Sequence, residues 1–368
     1  MPRDRQLPVV EAMWAVAKQA LEVAPEIKLL FVTNIQRGEL ADLGPHGVLN
    51  TAQYYTRRQA DAIIRSLQEI GLTVESFFDE RAFLRALVQH GGPTGEQRVV
   101  VFTTAEGGTG SGRRALIPAV CNLLGLPVLN SGPHACSLVR HKFHANAVLK
   151  RLGVRVPDSW LFAPTGWVAG SEPATGTRVI VKPTYEGQSV GVRDDSVQVV
   201  DATFTDFARQ AQQRFGQPAL VQEFVSGDEV GVPLVRLEKT YALPPLAIRR
   251  ANGDTFRDRP KTFRDEHLTR DVSYHLFEPA AAQREALEEA AVLAFDGLEM
   301  AGVGRIDFRV DADGRAWAFD TNESPPPLPD TSYAFVMERL GFSVEEMLAV
   351  WLGACLLEYG LLSGIGPE

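Results

Sequence analysis

The stretch GRIDFRVDADGRAWAFDTN (304–322) decides the reading of this 368-residue chain. Apolar and polar side chains alternate on both sides of Asp313-Gly314, the pattern of two strands joined by a tight hairpin. With those two residues as the turn, Ala312 faces Arg315. Ile306, Phe308 and Val310 then face Thr321, Phe319 and Trp317 across one apolar side. On the other side Asp307 falls opposite Asp320, and Arg305 opposite Asn322. Directly opposed strand residues bring their Cβ atoms to about 4.5–5.5 Å, where like charges repel. Two carboxylates and an amide so placed offer oxygen ligands to a hard divalent ion, Mg²⁺ or Mn²⁺ rather than zinc. The residues alone leave open a solvated hairpin face with no bound ion, because a one-residue slip would separate the pair.

Upstream, VIVKPTYEGQSVGV (179–192) runs a strand into a loop of glycine and hydroxyl residues. A lysine at the strand's end, here Lys182, with a mobile cover of Gly187, Gln188 and Ser189, suits a polyphosphate. An ordinary surface turn with an exposed lysine fits the same residues. A second glycine run, EGGTGSGRR (106–114), lacks the Lys-Ser or Lys-Thr of a Walker A loop and the GxGxxG spacing of a dinucleotide fingerprint. It is at most an anion-facing helix start. His134, His141 and His275 show no ligand spacing, and Cys121, Cys136 and Cys355 form neither a disulfide framework nor a zinc motif.

The remaining chain sorts into two textures. Residues 10–24 read as an amphipathic helix, followed by the strand KLLFVT (28–33) and a long polar loop over 34–53. Ala60, Ile63, Ile64, Leu67 and Ile70 mark a helix closed by Gly71. Strands LTVESFF (72–78), RVVVFT (98–103) and LPVLN (126–130) alternate with helices, which implies a parallel sheet. A helix is expected over 138–152, ending at Gly153. From 178 the strands RVIVKP, LVQEF, VGVPLVRL and YALPPLAI follow one another without regular crossover helices, an α+β texture. Leu287, Ala291, Ala294 and Leu298 form a helix stripe, and Ser343 with Glu346 makes a capping box for the last helix.

Lys and Arg total 37 against 46 Asp and Glu, a formal charge of −9, which argues against nucleic acid as a partner. No window approaches about 18 apolar residues without charge, and the N-terminus lacks a signal-peptide pattern. A cytoplasmic protein with no membrane partner is expected.

Taken in order, VIVKPTYEGQSVGV, LVQEFVSGDEVGV (220–232) and GVGRIDFRVDADGRAWAFDTNESP (302–325) resemble the ATP-grasp fold, and within it the D-alanine–D-alanine ligase group. The run GLPVLNSGPHACSLVRHKFHANAVLKRLGV (125–154) resembles the family's passage from its first to its central domain. The resemblance implies an α/β and α+β chain of three parts. These are an N-terminal pre-ATP-grasp domain with a parallel sheet (1–136), a central subdomain with the glycine loop (137–228), and a C-terminal subdomain with the metal hairpin (229–368).

It also implies site roles, carried over residue by residue. Lys142 and Lys182 match the lysines that hold ATP phosphates; Glu186, Gln188 and Ser189 lie on the glycine loop above them. Gln222, Glu223, Phe224 and Val225 match the hinge that binds adenine, and Glu229 the acid that takes the ribose hydroxyls. Lys261 falls at a mobile-loop lysine near the γ-phosphate. Arg305 matches an arginine beside the reacting carbonyl, and Asp307, Asp320 and Asn322 match the Mg²⁺ ligands. The implied cofactors are ATP with Mg²⁺ or Mn²⁺, and the implied partners are small-molecule carboxylate and amine substrates. Homodimers are common in that family, so a homodimer is one expected state.

Four departures concern the substrates and the metal. Asp320 replaces a longer glutamate. Tyr54 stands where the family has the acid for the first ammonium group. Glu106-Gly107 replaces a His-Gly pair, and Glu106 is a candidate for the missing negative charge. Ser324-Pro325-Pro326-Pro327 replaces Ser-Pro-Gly-Met, and Pro326 has no N–H to donate to an oxyanion. The expected activity is therefore ATP-dependent, ADP-forming carboxylate–amine ligation through an acyl phosphate, on amino-acid or dipeptide substrates other than two D-alanines. Alternatives are a nucleotide-binding module without catalysis, or an ATP-grasp enzyme that forms a cyclic or ester product.

Overall fold

The computed structural model describes residues 7–36, 53–89, 98–108, 110–129 and 131–362. Most of the polar loop expected over 34–53 lies outside them. Strand β1 (Ile27–Val32) pairs in parallel with β2 (Thr73–Phe77) and β3 (Arg98–Thr103), giving the order β2-β1-β3. The expected strand at 126–130 is reduced to a parallel bridge between Val101 and Val128. Helix Arg57–Glu69 starts at a Thr56–Gln59 capping box and buries Ala60, Ile63 and Leu67.

The helix expected over 138–152 is two helices, Pro133–Arg140 and Lys142–Arg151. His141 breaks the run with φ −89 and ψ 81, its ring nitrogen capping the next turn at the His144 N–H. The Lys142 N–H leaves the helical ladder and donates to the Thr184 carbonyl at 3.3 Å. In one continuous helix residues 140 and 142 would point about 160° apart. The break lets Arg140 and Lys142 line the same cavity.

A second, antiparallel sheet has the order β5-β4-β8-β6-β7, built from β4 (Ser159–Ala163), β5 (Gly166–Trp167), β6 (Arg178–Pro183), β7 (Val197–Val199) and β8 (Ala219–Glu223). Phe204, Ala208, Ala211 and Phe215 recur at helical spacing and seat helix Phe204–Phe215 on it. The third sheet runs β12 (Ser273–Leu276), β11 (Leu246–Arg249), β9 (Asp228–Arg236), β13 (Val303–Val310), β14 (Ala316–Asn322), with β10 (Thr240–Ala242) beside β9. Helix Ala281–Gly297 covers one face through Leu287, Ala291, Ala294 and Phe295.

The β13–β14 hairpin differs from the expected one in two places. The Asp311 N–H donates to the Arg315 carbonyl, so the turn has three residues, Ala312 to Gly314, closed by Gly314 at φ +80. That shift alone would put Phe319 opposite Asp307. A bulge between Asp307 and Phe308 absorbs it, and Asp307 pairs with Asp320 and Arg305 with Asn322. Nearer the turn, Phe308 meets Ala318 and Arg309 meets Trp317, not the partners the two-residue turn implied.

The capping box at Ser343 and Glu346 opens helix Val344–Glu358. It packs with helix Leu7–Val23, and one core joins Met13, Phe31, Phe102, Tyr333 and Trp351. No single helix among the described residues is long and apolar enough to cross a membrane.

Candidate active site

The second and third sheets and the loops of the parallel sheet enclose a cavity of about 540 Å³. Every site residue named from the resemblance lines it: Lys142, Lys182, Glu186, Gln188, Ser189, Gln222 to Val225, Glu229, Lys261, Arg305, Asp307, Asp320 and Asn322.

On the hairpin, the Asp307 carboxylate takes two hydrogen bonds from Arg305, at 2.6 Å from Nε and 2.8 Å from Nη2. The Arg305 Nη1 donates to the Ser332 hydroxyl at 2.6 Å. Asp320 accepts from Lys142 Nζ at 2.6 Å, and Asn322 Oδ1 accepts from the Ser324 N–H at 3.1 Å. Burial works against the charge of Asp320, but Lys142 and Lys182 more than offset it and hold the carboxyl below its ordinary value. The donor set is wholly oxygen and already attracts cations, which fits a hard divalent ion. Among the described residues no three His, Cys, Asp or Glu side chains gather as a metal cage. Such an ion would complete its shell with phosphate oxygens and water, as Mg²⁺ commonly does.

Lys182 is buried beside this face. Its Nζ donates to the Phe319 carbonyl at 3.4 Å and lies 5.3 Å from the centre of the Phe319 ring. Burial, with the like charge of Lys142 adding to it, brings its pKa down to about 8 despite Asp320 and Glu229. A lysine so desolvated gains most when an anion arrives.

The glycine loop follows directly. Gln188 and Ser189 both have positive φ, 50° and 56°. At Gly191, φ +80, a Cβ would lie 2.4 Å from the Pro183 ring, so only glycine fits. The loop is tied to the segment after β11: Ser189 Oγ and Lys261 Nζ both donate to Glu266 Oε2, at 2.8 and 2.7 Å. Burial opposes the Glu266 charge, but Lys261 and His267 overcome it and bring the carboxyl down to about 2. Lys261 is thus engaged by a carboxylate and held above its ordinary value, because Glu266 and Glu229 outweigh its burial.

At the hinge, the Glu223 and Phe224 N–H groups donate to the carbonyls of Asp158 and Arg178. Glu229 is buried and pairs with Arg309 at 3.3 Å. Desolvation raises its pKa while Arg309 and Lys261 pull it down. Arg309, which sequence reasoning missed, also donates to the carbonyls of Gly227 and Phe256.

The far end of the cavity holds Tyr54, Glu106, Arg114, Arg140, Glu186 and Glu323. Glu106 does not supply a free negative charge: Arg113, Arg114 and Arg140 all donate to its carboxylate. Glu186 likewise gives its oxygens to Arg113, Gln53 and Gln217 rather than to the open cavity. Glu323 pairs with Arg114 at 2.6 Å. The one legible hint of this cluster was Arg113-Arg114 closing the second glycine run.

Comparisons with known proteins bear on the family and the fold. The family described as D-ala D-ala ligase C-terminus matches residues 148–352, more than half of the chain. The chain belongs to that family. Among similar proteins, the D-alanine–D-alanine ligase of Bordetella petrii is 29% identical over 242 residues, 64% of this chain and 70% of that protein. The one from Pseudomonas fluorescens is 23% identical over 314 residues, 84% of this chain and 89% of its own. The solved D-alanine–D-alanine ligase from Bacillus anthracis complexed with ATP superposes with a TM-score of 0.66 at 14% identity, covering 90% of this chain and 98% of that one. The VanG D-Ala:D-Ser ligase from Enterococcus faecalis gives 0.62 at 15%, covering 89% and 99%. The fold is ATP-grasp, and this member of the D-Ala–D-Ala ligase C-terminus family is an ATP-dependent, ADP-forming C–N ligase.

Proposed function

We propose that the cavity binds ATP with a divalent ion, activates a carboxylate as its acyl phosphate, and passes the acyl group to an amine. Residues 1–136, 137–228 and 229–368 act as the three parts of this machine. The observation that carries the reading is the convergence of Lys142, Lys182, Arg305 and the Asp307–Asp320 pair on one cavity beneath the glycine loop.

ATP lies with adenine at Gln222 to Val225, its ribose at Glu229, and its phosphates between Lys142, Lys182 and the cover of Gln188 and Ser189. Asp307, Asp320 and Asn322 would hold Mg²⁺ or Mn²⁺, which would neutralise charge on the phosphate oxygens. Lys142 leaves Asp320 for a phosphate oxygen, which frees the carboxylate. A substrate carboxylate oxygen bonds to the γ-phosphorus and ADP leaves, a transfer that depends on positioning and electrostatics. The amine then adds to the acyl carbon and expels phosphate. Arg305 supports the oxyanion of the tetrahedral intermediate, a position where Pro326 has no N–H to offer.

The substrates are of the amino-acid or dipeptide type. Tyr54 and the neutralised Glu106 favour a first substrate other than D-alanine, although the relatives above carry the name D-alanine–D-alanine ligase. Acting on ATP and small molecules, the enzyme works in the cytoplasm. ADP and phosphate release against a panel of D- and L-amino acids and dipeptides tests the reading. Release with a specific pair, and less with two D-alanines, is expected. No release with any pair, or the highest rate with two D-alanines, would contradict it.

A further inference from the structure

We infer that Gln53 is a positioning residue that fastens the phosphate-covering loop from the N-terminal side. The inference rests on the reading above that this loop covers the triphosphate. Glu186 and Gly187 immediately precede Gln188 and Ser189, the loop's two non-glycine residues of positive φ, and Gln53 holds Glu186 and Gly187. Its Nε2 donates to Glu186 Oε2 at 2.5 Å, and its Oε1 accepts from the Gly187 N–H at 3.1 Å. The same Oε1 accepts from Arg140 Nη2 at 2.8 Å. A Cβ at Gly187 would stand 3.0 Å from Gln53 Oε1 and 3.1 Å from Arg140 Nη1, so a side chain there would press on the ends of both.

The contact is buried: Gln53 is 8% exposed and Glu186 4%. Glu186 is otherwise saturated, with Arg113 Nη1 at 3.2 Å and Nη2 at 2.7 Å and Gln217 Nε2 at 2.8 Å. Its charge is thereby spent on protein donors and does not repel a triphosphate. Ser189 and Glu266 hold the loop from the opposite side. The cover is therefore clasped twice, and the N-terminal clasp is a single primary amide bridging a carboxylate and a backbone N–H. An amide both donates to Glu186 and accepts from Gly187 and Arg140 at any pH, which an ionised carboxylate of the same length cannot do.

Two variants separate this role from general stability. Gln53→Ala removes all three contacts. Gln53→Glu keeps the acceptor but sets a carboxylate against Glu186, a repulsion relieved when the new acid is protonated. Binding of Mg²⁺ and a non-hydrolysable ATP analogue is measured by calorimetry from pH 8 to 6, with hydrogen exchange of the 184–192 backbone in the nucleotide-free protein. The expected result for Gln53→Ala is about tenfold weaker nucleotide binding and faster exchange confined to the loop. Gln53→Glu is expected to bind more weakly still at pH 8 and to recover towards the wild type by pH 6, while Gln53→Ala does not recover. Unchanged exchange and affinity in both variants, or a Gln53→Glu defect independent of pH, overturns the inference. A wild-type protein that binds no nucleotide, yet shows faster loop exchange when Gln53 is changed, leaves the clasp standing as a contact and removes both its positioning role and the proposed function.

Discussion

Lys182 is the residue where burial and function meet most directly. With its pKa brought down to about 8, it carries its charge below that pH and sheds it above. Nucleotide phosphates favour the charged form, so binding takes up a proton once the free lysine has lost one. Affinity for an ATP analogue is expected to be flat in this respect below pH 8 and to fall, by up to tenfold per unit, as pH rises towards the ordinary lysine value. Calorimetry in buffers of different ionisation enthalpy reads that proton, and Lys182→Met removes it. The sign for folding is opposite: the depressed lysine costs stability below pH 8, and the cost is relieved as pH rises. At the hairpin, Asp320→Ala is expected to lower turnover by about 1,000-fold or more while circular dichroism keeps the native signature; wild-type turnover would contradict the ligand role. These residues were legible because each stands in a short motif. The ion partners were not: Glu106 meets Arg140 and Glu186 meets Arg113 across long stretches of chain, and no local pattern records such a pairing.

The β13–β14 hairpin shows how an element can be read correctly by an incorrect route. Asp313-Gly314 suggested a two-residue turn, and the chain uses three; the bulge at Phe319 then restores the pairing of Asp307 with Asp320. Bulges carry little sequence signal, because their cause is the packing of neighbouring strands. The break at His141 was equally hidden, since neither glycine nor proline marks it and its partner, Thr184, comes from another element. Two predictions belong to the loop and its clasp. Gly191→Ala and Gly253→Ala both place a side chain at positive φ, but only Gly191 meets a rigid ring, whereas Gly253 has open space. Each is expected to cost about 1 kcal/mol in backbone strain, and only Gly191→Ala to raise the ATP KM, about tenfold or more; equal KM values would contradict the steric account. Asp265 and Glu266 are both held down to about 2. For Asp265 Arg259 and Thr262 outweigh burial, as Lys261 and His267 do for Glu266. Their stabilisation is therefore present above the ordinary carboxylate range and lost as pH falls towards 2. The thermal midpoint is expected to drop over that window, and less steeply in Glu266→Gln.

Across the whole molecule, the change from strands alternating with helices to strands without crossover helices was visible in the spacing of apolar runs. The strand expected at 126–130 is only a bridge, and the short strands β4, β5, β7 and β12 were not legible there. What sequence could not show is that the chain's two ends share a core. Gly353 of the last helix lies against Val16 of the first, where a Cβ would meet Val16 Cγ1 at 2.8 Å and its carbonyl at 2.9 Å. Gly353→Leu is expected to destabilise the protein by about 1–3 kcal/mol, with the N-terminal sheet and the C-terminal helices losing hydrogen-exchange protection together; separate loss would contradict the shared core. This arrangement brings the loops of the parallel sheet and the end of the hairpin to one cavity, where Arg114 pairs with Glu323 and Lys142 with Asp320. The central claim is that the carboxylate is activated by phosphoryl transfer from ATP. A substrate carboxylate labelled with ¹⁸O, turned over with an amine and analysed by mass spectrometry, tests it most directly. One labelled oxygen in the released phosphate for each ADP formed is the predicted result, and unlabelled phosphate formed alongside ADP would contradict it.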